Sequence, residues 1–254
     1  GGAVQEEVAA PGSHHAFAVS DGALVWPVDV EEVVDGEVWV GDALLVDGEA
    51  VFSVWDDLDA EALMSNTPER MGRRLSHVNG VSAQDGAALL TMGAQDAVLE
   101  VDLGSGAPLR WLGSPSPVDL PSATWAEDEA MVLPHMARWT DAGTLLLIGS
   151  NADFSQTWAT EFAIEGDGLV PVWSHGRGEG LGTPALGSAE RLDDGDTLVS
   201  FGTRGVIHRV GPDGEVVGAV SVELGRILGR SIEIDALPLP VSYTHLTLPT
   251  TYTV

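Results

Sequence analysis

The chain has 254 residues, with 39 acidic and 11 basic side chains and a formal net charge of −28. That balance repels nucleic acid and anionic membrane surfaces, so neither is an expected partner; a solvated acidic surface is its plain explanation. Every basic residue is Arg, the absence of Cys excludes disulfides and thiolate metal sites, and no apolar run reaches the length of a membrane span.

Residues 1–13 show no periodic pattern and read as a linker or disordered N-terminus. A weak repeat copy, HAFAVSDGALVW, then starts at His15. Two further Asp-Gly hairpins follow, VVDGEVWV and LVDGEAVF, which complete a first blade and could begin another. Residues 56–74, DDLDAEALMSNTPERMGRR, predict a short helix and loop with Asp56 or Asp57 near its N-terminus. The second copy, HVNGVSAQDGAALLTMG, opens at His77, with strands AVLEVD and PLRWLG after it. Residues 114–132 are Pro-rich and acidic and read as a long surface loop between blades. The third copy, HMARWTDAGTLLLIG, opens at His135, and the fourth, SAERLDDGDTLVSFG, has Ser188 in the opening position.

The turn glycines Gly86, Gly143 and Gly195 are 57 and 52 residues apart. A recurring unit of this size, built of short strands and Gly turns, predicts an all-β fold and specifically a β-propeller. About four blades are countable over 14–239. One blade cannot cover both faces of its own sheet, so a ring of about six blades is the expected complete form and the chain reads as a truncated one. Residues 240–250, PVSYTHLTLPT, match the translation of one frame of a transposon-based sequencing adapter. Residues 240–254 are therefore expected to be non-native, and neither Tyr243 nor His245 is given a role.

The repeat places distant residues at equivalent positions. His15, His77 and His135 each precede the innermost strand of a blade, and those strands line the central channel. Asn79, two residues after His77, shares its face by strand alternation. Two readings stay open: each His satisfies an inter-blade hydrogen bond, or three imidazoles and an amide form one site at the channel mouth.

The same residues carry a resemblance. The H-x-N pair at His77 and Asn79 and the segment LPHMARWTDAGTLLLIG resemble the bacterial arylsulfotransferase family; so do HHAFAVSDGALV, FSVWDDLD and GSAERLDDGDTLVSFGTRGVIHRVGPDGEVV. Together these cover most of residues 14–235. The resemblance implies a six-bladed propeller that moves a sulfuryl group from an aryl sulfate to a phenol through a sulfohistidine. By motif match it gives His135 the nucleophile's place, His77 and Asn79 the sulfate-holding pair and His15 an early channel position. It implies a periplasmic, cell-surface or secreted setting, with no cofactor and no metal. Two positions depart from the family pattern. Gly93 stands where the family has an Arg, and Met136 follows His135 where the family commonly has Asp. Arg138 could supply the missing cation only if a bend turned it inward. A non-catalytic propeller that binds a ligand or protein at its channel mouth is the alternative. A quinone-dependent dehydrogenase propeller is a weaker one, because neither a repeated Trp-docking motif nor a Ca²⁺ carboxylate cluster is found.

Overall fold

Asp-Gly pairs fold the first half of the chain. At Asp21-Gly22, Asp35-Gly36, Asp47-Gly48 and Asp85-Gly86 both residues have positive φ. That is the turn geometry whose twist matches two antiparallel strands. The protein is represented by a computed structural model that describes residues 10–222; the expected boundary at 239 and the adapter-like tail lie outside the described residues.

Within them the chain folds into four antiparallel meanders of four strands each. The first holds β1 (Ala18–Ser20), β2 (Ala23–Val34), β3 (Glu37–Val46) and β4 (Glu49–Ser53). The hairpins at Asp35 and Asp47 thus complete one blade and begin no other. The second holds β5 (Val78–Gln84), β6 (Ala87–Met92), β7 (Ala97–Asp102) and β8 (Pro108–Gly113). After β9 (Ser122–Trp125), the third holds β10 (Val132–Trp139), β11 (Leu145–Ser150), β12 (Thr157–Glu165) and β13 (Gly168–His175). The fourth holds β14 (Ser188–Arg191), β15 (Thr197–Phe201), β16 (Val206–Val210) and β17 (Val216–Ser221). First strands lie beside first strands, β1 against β5, β5 against β10 and β10 against β14. Radial meanders with their first strands inward make a β-propeller.

The runs AALLTM and LLLI read as continuously apolar because both faces of these inner strands are buried. Alternation sends Leu90 of β6 toward the first blade, among Val25, Leu44, Phe52 and Leu99. Leu89 faces the third blade, among Leu145, Leu147, Trp158 and Phe162. Likewise Leu146 and Ile148 of β11 pack on Ala189, Val199 and Phe201 of the fourth blade. Each such fully buried aliphatic side chain contributes about 1.5–3 kcal/mol, so these packed interfaces hold neighbouring blades together.

Of the two segments joining the first three blades, one departs from the sequence expectation. The short helix and loop expected at 56–74 form, and a second short helix precedes them. Helix α1 (Val54–Asp57) is capped by the Ser53 hydroxyl, and α2 (Ala60–Asn66) by Asp59, whose carboxylate accepts from the Ala62 N–H. Leu58 is extended and separates the two helices; Asp56 and Asp57 lie in the first turn of α1, near a helix N-terminus as expected, and Asp59 caps α2. Helix α1 lies hard on β3, where a Cβ at Gly41 would come within 2.5 Å of Val54 and 2.7 Å of the Trp55 indole nitrogen. The loop at 114–132 contains β9, which pairs in parallel with β8 on one side and β13 on the other. The second and third blades are thereby joined at their outer edges into one nine-stranded sheet.

Candidate functional site

Where each blade begins, the backbone takes a left-handed residue. His15 and His77 have φ of 60° and 48°, and Leu133 and Leu186, each two residues ahead of an opener, have 47° and 64°. Such backbone is costly for a residue with a side chain and is held only where its surroundings fix it. His15 and His77 stand just ahead of β1 and β5, while His135 and Ser188 lie within β10 and β14.

The His15 and His77 rings meet edge to face with centroids 5.0 Å apart, and His15 is exposed where the site opens. Asn79 is buried just inside. Its amide nitrogen and oxygen, and Nδ1 of His77, have no hydrogen-bond partner on the protein. Gly93 pairs its N–H with the His77 carbonyl at 3.1 Å. A Cβ there would lie 2.7 Å from Asn79 Nδ2, 3.1 Å from Leu133 and 3.3 Å from the His77 ring. With Asn79 in place there is no room for an Arg side chain at this position.

His135 reaches the same place from β10. Its Nδ1 lies 2.7 Å from the Leu133 carbonyl, which only an N–H can approach, so Nδ1 carries the proton and Nε2 the lone pair. That lone pair accepts the Leu186 N–H at 3.3 Å. Leu133 is itself placed by Asp96, whose carboxylate takes the Leu133 N–H at 2.8 Å and pairs with Arg70. Between blades, the Ala137 N–H donates to Thr91 at 2.9 Å and the Ser82 hydroxyl to the Ala137 carbonyl at 2.8 Å. These two bonds fix β10 against β6 and β5 of the second blade, and so His135 against His77.

Burial pushes both rings down, His77 to about 4 with further lowering from His15 and Arg74, and His135 to about 4 despite its bond to the Leu133 carbonyl. Both are neutral at pH 7, the His135 lone pair being engaged by the Leu186 N–H. The neighbouring charge is carried by a residue the sequence reading passed over. His14 Nε2 lies 2.8 Å from the buried Asp42 and 3.4 Å from Asp29, and its Nδ1 is 2.9 Å from His15 Nδ1. Burial opposes charging of His14, but Asp42 outweighs it and raises the pKa. Burial likewise opposes ionisation of Asp42, yet His14, the Ser76 hydroxyl and the Val78 N–H hold its carboxyl low. A run Asp42–His14–His15–His77 therefore leads from a buried ion pair to the open site.

Arg138 takes another path. The sheet is irregular around His135, with register shifts on both sides and a left-handed Met136. Arg138 pairs with Glu190 of β14 at 3.3 Å and lines a groove with Phe17, Val81, Ser82 and Trp139. Arg74 is the guanidinium that acts on His14, His15 and His77, and it lies 3.7 Å from Asp29.

Two groups among the described residues place three metal-ligating atoms together: His14, Asp29 and Asp42 beside this site, and His175, Glu179 and His208 between the third and fourth blades. The first is already an ion pair, with Arg74 close by. Neither was expected from the sequence, since their members share no repeat position.

Fold and site together define a β-propeller with a histidine-rich polar site where its first strands converge. No protein-family model matches the chain, and no curated protein matches it. Among solved structures it is similar to a protein of unknown function from Bacteroides caccae, with TM-score 0.45 and 15% identity over 82% of this chain. It spans 60% of that protein's length. It is also similar to a streptogramin B lyase, with TM-score 0.44 and 11% identity, over 84% of this chain and 69% of the other. Among the described residues no helix is long and apolar enough to cross a membrane.

Proposed function

We propose that the channel-mouth site transfers a sulfuryl group from an aryl sulfate to a phenol, with His135 as the nucleophile. The observation that carries this reading is the tautomer of His135, whose lone pair lies on Nε2 because Nδ1–H is engaged by the Leu133 carbonyl. The arylsulfotransferase resemblance names the same residue. Nε2 attacks sulfur, the bond from sulfur to the aryl oxygen breaks, and the phenolate leaves with the electron pair. Nδ1–H stays on Leu133 and disperses the positive charge of the sulfated ring. The acceptor phenol then attacks sulfur, the N–S bond breaks and its electrons return to Nε2, while the phenol proton passes to His15 or His77. A covalent intermediate divides one difficult displacement into two. The Asn79 amide and the His77 ring, which lack protein partners, are the donors for the sulfuryl oxygens. Arg74, with His14 when it is protonated, supplies the positive field that Gly93 does not. The Leu186 N–H leaves Nε2 when the donor binds. The setting proposed is outside the cytoplasm.

The alternative is a propeller that binds a ligand at the same mouth without reaction. The Leu186 N–H on Nε2 favours it, as does the crowding that keeps a guanidinium away from Gly93. Incubation with 4-nitrophenyl sulfate and excess phenol separates the two. Transfer releases nitrophenolate and leaves a transient sulfuryl adduct on His135 by intact-mass spectrometry, and His135→Ala abolishes both. His77→Ala and Asn79→Ala lower the rate by about 10²- to 10³-fold each. Folded wild-type protein giving neither product nor adduct leaves ligand binding as the function.

A further inference from the structure

We propose that His175, Glu179 and His208 form a binding site for a divalent transition metal of the zinc class at the seam between the third and fourth blades. His175 ends β13, and its side chain is 4% exposed. His208 sits in the middle of β16 with its side chain 14% exposed. His175 Nε2 and His208 Nδ1 are 2.9 Å apart. Glu179 presents one carboxylate oxygen 3.8 Å from His175 Nε2 and the other 3.8 Å from His208 Nδ1. Two imidazole nitrogens and a carboxylate are a donor set suited to zinc; at about 2.0–2.1 Å from a tetrahedral ion, such atoms stand about 3.3–3.4 Å from one another. The separations here straddle that value, so small side-chain rotations bring all three donors to one ion.

The chain is shaped to make this arrangement. Between His175 and Glu179 it turns back, closed by the Glu179 N–H on the Gly176 carbonyl at 3.2 Å. Gly176 has φ of 99°, and a Cβ there would lie 2.8 Å from the Phe201 ring. Only glycine fits, and the turn it permits returns the carboxylate to the two rings. Phe201 packs 6.2 Å from His175 and 5.4 Å from His208, walling the inner side. Glu179, 39% exposed, lies on the solvent side, where a fourth ligand would be water. A plain hydrogen bond between the two rings accounts for the 2.9 Å contact, but not for a carboxylate reaching both nitrogens.

The test uses the untagged 254-residue protein, stripped with chelator and dialysed against Zn²⁺. The expected result is one zinc per chain at this site, lost in His175→Ala and His208→Ala, weakened in Glu179→Gln and kept in His14→Ala. Cobalt in place of zinc should give the intense visible bands of a four-coordinate ion. If the Ala variants fail to fold, the ring signals of the wild type decide: zinc must shift those of His175 and His208, assigned through His208→Gln. Absence of a zinc-dependent change in these rings, or equal uptake by wild type and folded variants, overturns the proposal.

Discussion

Gly93→Ala probes the centre of the site with one carbon. Gly93 is outside the left-handed region, so its backbone accepts alanine. The new methyl would stand 2.7 Å from Asn79 Nδ2, well inside contact distance, with Leu133 and the His77 ring at 3.1 and 3.3 Å. Overpacking of this kind costs about 1–3 kcal/mol, and the stiffer unfolded chain returns about 0.4–1 kcal/mol. The net expected loss is about 1–2 kcal/mol, a fall in Tm of about 3–6 °C for a chain of this size. The principal clash is with the far end of the Asn79 side chain. In an Asn79→Ala background the same substitution should therefore cost less than about 0.5 kcal/mol, a coupling of about 1 kcal/mol. Thermal melts of the four proteins in the cycle measure it. Equal cost of Gly93→Ala in both backgrounds refutes the packing described here. By the same geometry, Gly93→Arg should lower sulfuryl transfer and stability together, because its side chain cannot enter with Asn79 in place.

Two further outcomes follow from the site's electrostatics and its anchoring. His77 and His135 have folded pKa values of about 4, below the ordinary 6.5. Between pH 6.5 and 4 the unfolded chain binds protons that the folded one refuses, so these rings make stability fall as pH falls through that window and have no effect above it. Urea midpoints from pH 7.5 to 4.5 should show a shallower fall for His77→Asn than for wild type, and parallel curves would refute the assignment. Thr91→Val keeps shape but leaves the buried Ala137 N–H without its acceptor. The expected cost is about 1–3 kcal/mol, read by thermal melting, with a loss of transfer rate because His135 is no longer fixed against His77.

The parts of this protein legible in its sequence are those set by neighbouring residues. Asp-Gly turns need positive φ at adjacent positions, so the hairpins and the repeat could be read directly. The openers His15, His77 and His135 could be read because equivalence in a repeat implies equivalence in space. The parallel strand β9 could not, since its partners on β8 and β13 are chosen by tertiary packing and its own segment is rich in proline. Nor could Asp42, whose state depends on His14, Ser76 and Val78 arriving from separate elements. His175 and His208 stand 33 residues apart on different blades, outside any motif. The acidic residues at a helix start could be read, since Asp56 and Asp57 lie in the first turn of α1, but the break at the extended Leu58 and the second start capped by Asp59 could not.

The parallel strand also gives the chain an order of assembly. A chain emerging from the ribosome completes β8 and then β9, which pairs at once with a neighbour only a short loop away. The other edge of β9 stays open while β10 to β12 are made, and accepts Gly168 and Leu169 of β13 when they emerge. Long-range pairings are slow because loop closure precedes any gain, and N-terminal units generally fold first during synthesis. A strand already docked on the second blade is a template that fixes where the last strand of the third must begin. Disrupting it, for instance with proline at Thr124, whose N–H bonds to the Asp167 carbonyl, should therefore slow refolding of the third blade before it disturbs the second.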